Sequence, residues 1–239
     1  LINRVEQVDL VNMVQIKNRS KAKLAHGTAV AGVLISDNAQ IGIAPAARLF
    51  SIVAFEHKRH KNIATFSSSS ALIAQAIDHA INRKVDILNL SFSGGKDPLV
   101  RKMVQKAIDA GIIVVASCGN DASDKPRYPA AIPGVIAVTA VDHLKRSYTK
   151  ANKGKYIDVA APGVGVLTTG PGERYQLSSG TSLAAANVSG SMALLLAKKK
   201  NIDKDVLSYT ATDLGVPGRD TSYGDGLINI LSALKSISR

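Results

Sequence analysis

A regular alternation of short β-branched runs with longer amphipathic stretches limits what this chain can become. Residues 49–55, 86–92, 112–117 and 135–141 read as strands, and residues 71–83 and 98–110, between the first three, read as helices. Runs such as IIVVAS are apolar on both faces, which suits a parallel sheet covered by helices on each side. The serine run at 67–70 marks a helix start, and two more helices are expected at residues 182–199 and 226–236. The first of these is rich in Ala, Gly and Ser, so it can pass close beneath a sheet. No repeat and no Pro- or Ser-rich linker divides the chain. All 239 residues are expected to form one domain, an α/β fold with a three-layer α/β/α sandwich and a mainly parallel sheet.

Composition excludes several classes. Apolar residues make up 46% and charged residues 20%, the balance of a chain that folds around a core. No apolar run reaches the roughly 18–20 residues needed to span a bilayer. The excess of 30 Lys and Arg over 18 Asp and Glu gives a net charge of +12, one part of the footprint of a nucleic-acid binder. The other parts are missing: there is no Trp, only 6 Tyr and 4 Phe, and the cations are scattered instead of forming an arm. The charge suits a solvated face or attraction to acidic substrates better than nucleic acid. Cys118 is the single cysteine, so no intrachain disulfide forms, and its place in an apolar strand marks a small buried residue. His57 and His60 have a spacing that could be imagined for a metal. Lys58, Arg59 and Lys61 around them would repel a cation, so the segment reads as a surface loop and no metal site or cofactor is expected.

Ligands of open α/β sheets collect beyond the carboxyl ends of the strands, so reactive side chains at strand-to-helix junctions carry most weight. Three junctions bear them. His26 precedes an apolar stretch and is expected at a helix start, Asn120 follows the strand at 112–117, and Ser182 opens the Ala-rich helix behind Gly180. Each alone has a structural explanation as a cap or turn residue. Together they supply a base, a side-chain amide donor and a nucleophile near backbone N–H groups, which is the inventory of acyl transfer.

Residues 26–32 (HGTAVAG) and 180–190 (GTSLAAANVSG) resemble the histidine and serine motifs of the subtilisin-like serine proteases. Residues 114–120 (VVASCGN) resemble the family's oxyanion-asparagine strand, 86–95 (DILNLSFSGG) its substrate-lining strand, and 160–163 (AAPG) and 223–229 (YGDGLIN) also match in order. The resemblance implies a subtilisin-like fold and a serine endopeptidase acting on polypeptides. Ser182 would be the nucleophile, His26 the general base and Asn120 the oxyanion donor. It also implies an exported or extracellular protein, and a cleft lined by Ser91, Phe92, Ser93 and Gly94. The floor of the first specificity pocket would fall at Arg127, before Tyr128-Pro129, where a guanidinium favours an acidic side chain at P1, the substrate residue before the cleaved bond.

The chain departs from the family at the third triad position. No D-[ST]-G turn stands upstream of His26, and Asp9, 17 residues before it, better resembles an Asp-Leu pair that relatives carry after their aspartate. The missing Asp is therefore expected upstream of Leu1, either on a separate or cleaved N-terminal piece acting as a partner or on a stretch trimmed from this chain. Otherwise the chain is a degenerate module that binds peptide or a partner protein without turnover. Ala29 and the pair Ala186-Asn187 replace a His and a Pro-His pair common in the motifs. Asp37-Asn38 offers few oxygen ligands, so no calcium site is expected.

Overall fold

The computed structural model describes residues 4–11, 21–60 and 63–238. Four parallel strands form the central sheet in sequential order: β5 (Ile87–Leu90), β6 (Ile113–Ser117), β7 (Ile136–Val141) and β8 (Val159–Pro162). A second parallel pair, β1 (Val5–Asp9) and β2 (Leu49–Val53), aligns Asp9 with Val53. Two antiparallel hairpins complete the strands, β3 (Glu56–His60) with β4 (Ile63–Ser67), and β9 (Val166–Gly170) with β10 (Arg174–Ser178). The helices are α1 (Lys21–Ile35), α2 (Ser70–Asn82), α3 (Pro98–Asp109), α4 (Thr181–Lys198), α5 (Val206–Tyr209) and α6 (Ile230–Ile237).

Alternate side chains of the sheet enter different cores, which is what makes three layers. Val115, Ile136, Val138, Ala140, Val159 and Ala161 pack against Ala184, Ala185, Val188, Met192 and Leu195 of α4. Val114, Ala116 and Ala137 face the other way, onto Ile77 of α2 and Val100, Val104 and Ala107 of α3. The small residues of α4 permit close approach, since a Cβ on Gly190 would stand 2.7 Å from the Ile43 Cβ. A third cluster joins Ala29, Val30, Val33 and Leu34 of α1 to Leu183 and Ala186 of α4, with Leu49 of β2 packed against it.

Local chemistry explains the boundaries. Ser69 caps α2 by accepting from the Leu72 N–H, so the serine run does start a helix, after Ser67 has closed β4. Asp97 caps α3 through the Val100 N–H, with Pro98 in the first turn where its missing N–H costs nothing. The expected strands and these two helices lie within two residues of their observed bounds. The helix expected from residue 226 begins at Ile230 instead, because Leu227 is bridged to Ala160 and Thr212 and Gly226 runs at φ 115°. Asn229 then caps α6 through the Ser232 N–H. The His57–Lys58–Arg59–His60 segment is strand β3 of a hairpin and not an irregular loop; Lys61 lies outside the described residues. Its alternation of charged and imidazole side chains hid the pairing with β4.

Candidate active site

Ser182 is the second residue of α4, where peptide N–H groups lack helical partners and the dipole favours negative charge. Its Oγ donates to the Ser91 carbonyl at 3.2 Å, and the Ser91 hydroxyl donates to the Ser182 carbonyl at 2.9 Å. These reciprocal bonds seat Ser182 against the segment that follows β5. The helix end and that segment are thereby locked together.

Asn120 leaves the carboxyl end of β6, and its side-chain orientation is fixed from behind. Its Oδ1 accepts from both the Thr181 N–H (3.1 Å) and the Thr181 hydroxyl (3.0 Å), which turns Nδ2 toward the open side. Thr181 is fully buried, so this clamp is rigid. A Cβ on Gly180 would stand 3.7 Å from Asn120 Nδ2 and 3.9 Å from the Ser182 N atom. An open point with these two N–H groups as its nearest neighbours is where a developing oxyanion can be held. Gly180 leaves that point unoccupied.

His26 lies in the second turn of α1 and not at a helix start as its sequence position suggested, because the helix already begins at Lys21. The ring is open to solvent on one side, yet partial burial holds its pKa below the ordinary value of 6.5. A base that stays neutral at mildly acid pH suits proton abstraction. The Ser182 hydroxyl has its one hydrogen bond among the described residues on Ser91, so engaging an imidazole requires a side-chain rotation.

The cleft residues assemble around these groups. Ser117 Oγ donates to the Phe92 carbonyl, Phe92 packs on Phe55 with centroids 5.1 Å apart, and Gly94 exchanges two backbone bonds with Tyr128. Ser93 lies against Gly119, whose added Cβ would be 2.9 Å from its Oγ. Arg127 is thus held beside the Asn120 loop, where it pairs with Asp121 at 2.8 Å while its buried Nε has no hydrogen-bond partner among the described residues. Cys118 is buried and its thiol is pushed up to about 11 by desolvation, so it is inert.

Asp9 ends β1, is 7% exposed and accepts the Val11 N–H at 2.9 Å. It is one strand further out than β2. The opposite edge of β2 has no strand hydrogen-bonded to it among the described residues, and neither has the outer edge of β5. Yet α2 contacts β2 and also packs over β5 and β6, while the other face of this region is covered by α1 and α4. The two parallel units therefore border an open seam.

Thr181 escaped the sequence reading although it sits inside the GTS motif, since a threonine there reads as an ordinary helix starter. Asn152, whose bonds to the Asn120 loop are described below, had no signal at all, standing in a Lys-rich turn.

A parallel sheet covered by helices on both faces, with a serine at a helix start beyond its carboxyl edge, defines an α/β protein of the class whose ligand sites gather at that edge. Residues 5–226 match the sequence profile of the Subtilase family, and the chain belongs to that family. It is similar to Subtilisin E of Bacillus subtilis (strain 168), 35% identical over 221 residues, covering 87% of this chain and 55% of that protein. The same identity holds to the Subtilisin of Bacillus pumilus, covering 87% and 77%. The chain thus spans about half the length of the first of these relatives. Among solved structures, the prenylagaramide maturation protease PagA superposes with a TM-score of 0.80 at 26% identity, covering 97% of this chain and 85% of that one. A mutant of the protease domain of PatA has the same fold, with a TM-score of 0.82 at 24% identity, covering 98% and 87%. The subtilisin-like α/β fold expected from the sequence is therefore the fold observed.

Proposed function

We propose that this chain is the body of a serine endopeptidase. Ser182 Oγ attacks the peptide carbonyl while His26 takes its proton, and the resulting oxyanion accepts from Asn120 Nδ2 and the Ser182 N–H. Collapse expels the amine, which receives the proton from His26, and water hydrolyses the acyl-enzyme by the same route. The observation that carries this reading is the open point at Gly180, whose nearest neighbours are the Asn120 Nδ2 and Ser182 N atoms. Hydrolysis of internally quenched peptides tests it: turnover that disappears in Ser182→Ala supports the reading, and turnover that persists overturns it.

The third triad member would arrive on an extended segment beyond these 239 residues, upstream of Leu1 or on a separate chain, seated in the seam between β2 and β5. A parallel strand there would end at the level of His26. Asp9 is separated from the seam by β2, which supports its being no triad member. Without that carboxylate the imidazole loses its orientation and rates fall on the order of 10⁴. The second reading, a module that binds peptide without turnover, is favoured by one observation, the Ser182 hydroxyl engaged on Ser91. Tight peptide binding with no cleavage and no reaction with a fluorophosphonate would establish it.

For specificity, we propose that Ser91, Phe92, Ser93 and Gly94 pair with an extended substrate by strand addition, and that Arg127 selects an acidic P1 side chain. The unpartnered Nε of Arg127 supports this, because a carboxylate would satisfy it. The pair with Asp121 offsets part of that charge, so the preference is modest. A peptide library showing no gain for Glu over Leu at P1, or the same gain in Arg127→Ala, would refute it. Extracellular location, in keeping with exported relatives, belongs to the same proposal. Among the described residues no helix is long and apolar enough to cross a membrane.

A further inference from the structure

Asn120 sits at the middle of a loop whose two flanks are tied to one buried side chain. Asn152 is fully buried. Its Nδ2 donates to the Cys118 carbonyl at 3.0 Å, and its backbone N–H donates to the Gly119 carbonyl at 3.1 Å. On the far side of Asn120, its Oδ1 accepts from the Asp121 N–H at 2.9 Å and the Ser123 N–H at 3.0 Å. Nδ2 also lies 3.4 Å from the Asp121 carboxylate. One planar amide therefore binds the residues before and after Asn120 and leaves Asn120 itself free to aim outward.

The fit is tight enough to be demanding. A Cβ on Gly119 would lie 2.4 Å from Asn152 Nδ2, and Gly119 runs at φ 102°, a conformation that favours glycine. Ala122, between the two amides that Oδ1 holds, adopts φ 50°, a left-handed backbone that survives only when its surroundings enforce it. Thr181 fixes the rotation of the Asn120 amide, but nothing in that clamp fixes the height of the loop.

We propose that Asn152 is the positioning residue of the oxyanion loop: it sets the distance between Asn120 Nδ2 and the Ser182 N–H without touching substrate. The role rests on the serine-protease reading above. A donor displaced by a fraction of an ångström loses transition-state stabilisation while ground-state binding is nearly unchanged. The side chain must be Asn because one end has to donate to a carbonyl and the other to accept twice. An ionised Asp would set a negative oxygen against the Cys118 carbonyl and the Asp121 carboxylate. A protonated Asp would restore the donor.

The test compares Asn152→Ala and Asn152→Asp with the parent, each alone and combined with Asn120→Ala, with active molecules counted by fluorophosphonate titration. Counting them keeps a poor yield of folded protein from imitating a slow enzyme. The expected result is kcat lower by about 10–100-fold with KM changed less than about 3-fold, and almost no further loss once Asn120 is Ala. The kcat of Asn152→Asp relative to the parent should rise as pH falls and the new carboxyl protonates. A loss that appears in KM, or that persists undiminished in the Asn120→Ala background, would overturn the role. If neither Asn152 variant gives titratable protein, Gly119→Ala presses on the same amide from the other side and must give the same kcat-only loss. A parent protein that neither turns over peptide nor reacts with the probe would refute the protease function, and this role with it. An active parent with unaffected Asn152 variants would refute the role alone.

Discussion

At the residue scale, the proposed reactive side chains His26, Asn120 and Ser182 and the 91–94 segment could be picked out because they sit in short motifs with fixed neighbours. The groups that hold them were not legible. Thr181 holds Asn120 across 61 positions and Asn152 holds the same loop across about 30, and a hydrogen bond between distant residues leaves no local pattern. The clamp predicts that Thr181→Val lowers kcat about tenfold, by removing one of two donors to Asn120 Oδ1. Asn120→Ala should cost more, on the order of 10²–10³, the loss found when the same donor is removed from subtilisin. Burial lowers the His26 pKa, so below 6.5 the folded protein binds fewer protons at this group than the unfolded chain. In the chain alone, stability contributed by this group should accordingly weaken as pH drops below 6.5, read by denaturant titration across pH, and a carboxylate seated beside the imidazole would oppose that shift. Cys118, with its thiol pushed up to about 11, should resist iodoacetamide at about pH 8 until the protein is unfolded.

At the element scale, mostly apolar β-branched runs were readable as strands, and short or polar ones were not. β6 and β7 are continuous apolar runs, whereas β1 (VEQVD) and β10 (RYQLS) carry polar residues in a pattern any loop could share. α1 was placed too late because Lys21 and Lys23 hide the first turn of an otherwise small-residue helix. The packing predicts that Ile77→Ala, which empties a fully buried position between α2 and the sheet, costs about 2–5 kcal/mol of stability in denaturant titration. The open edges of β2 and β5 predict fast hydrogen exchange. Their seam-facing amides should exchange far sooner than those of β7, and should become protected when a companion segment binds. Equal protection in the chain alone would mean that no strand is missing there.

At the scale of the whole molecule, helices close both faces of the sheet and leave the carboxyl ends of its strands as the place for chemistry. Ser182, Asn120 and the 91–94 segment meet there because α4 begins where β5 and β6 end. The net charge of +12 attracts acidic chains to the molecule as a whole, in the same sense as the preference proposed for Arg127. On the proposal above, Ser182 is an activated nucleophile whose triad is completed by a segment in the seam, and intact mass spectrometry of the native protein before and after a fluorophosphonate tests it. One adduct is expected, lost in Ser182→Ala, together with a companion segment, attached or co-purifying, that contains an Asp-Thr-Gly or Asp-Ser-Gly turn. An unmodified chain with no such segment would contradict it.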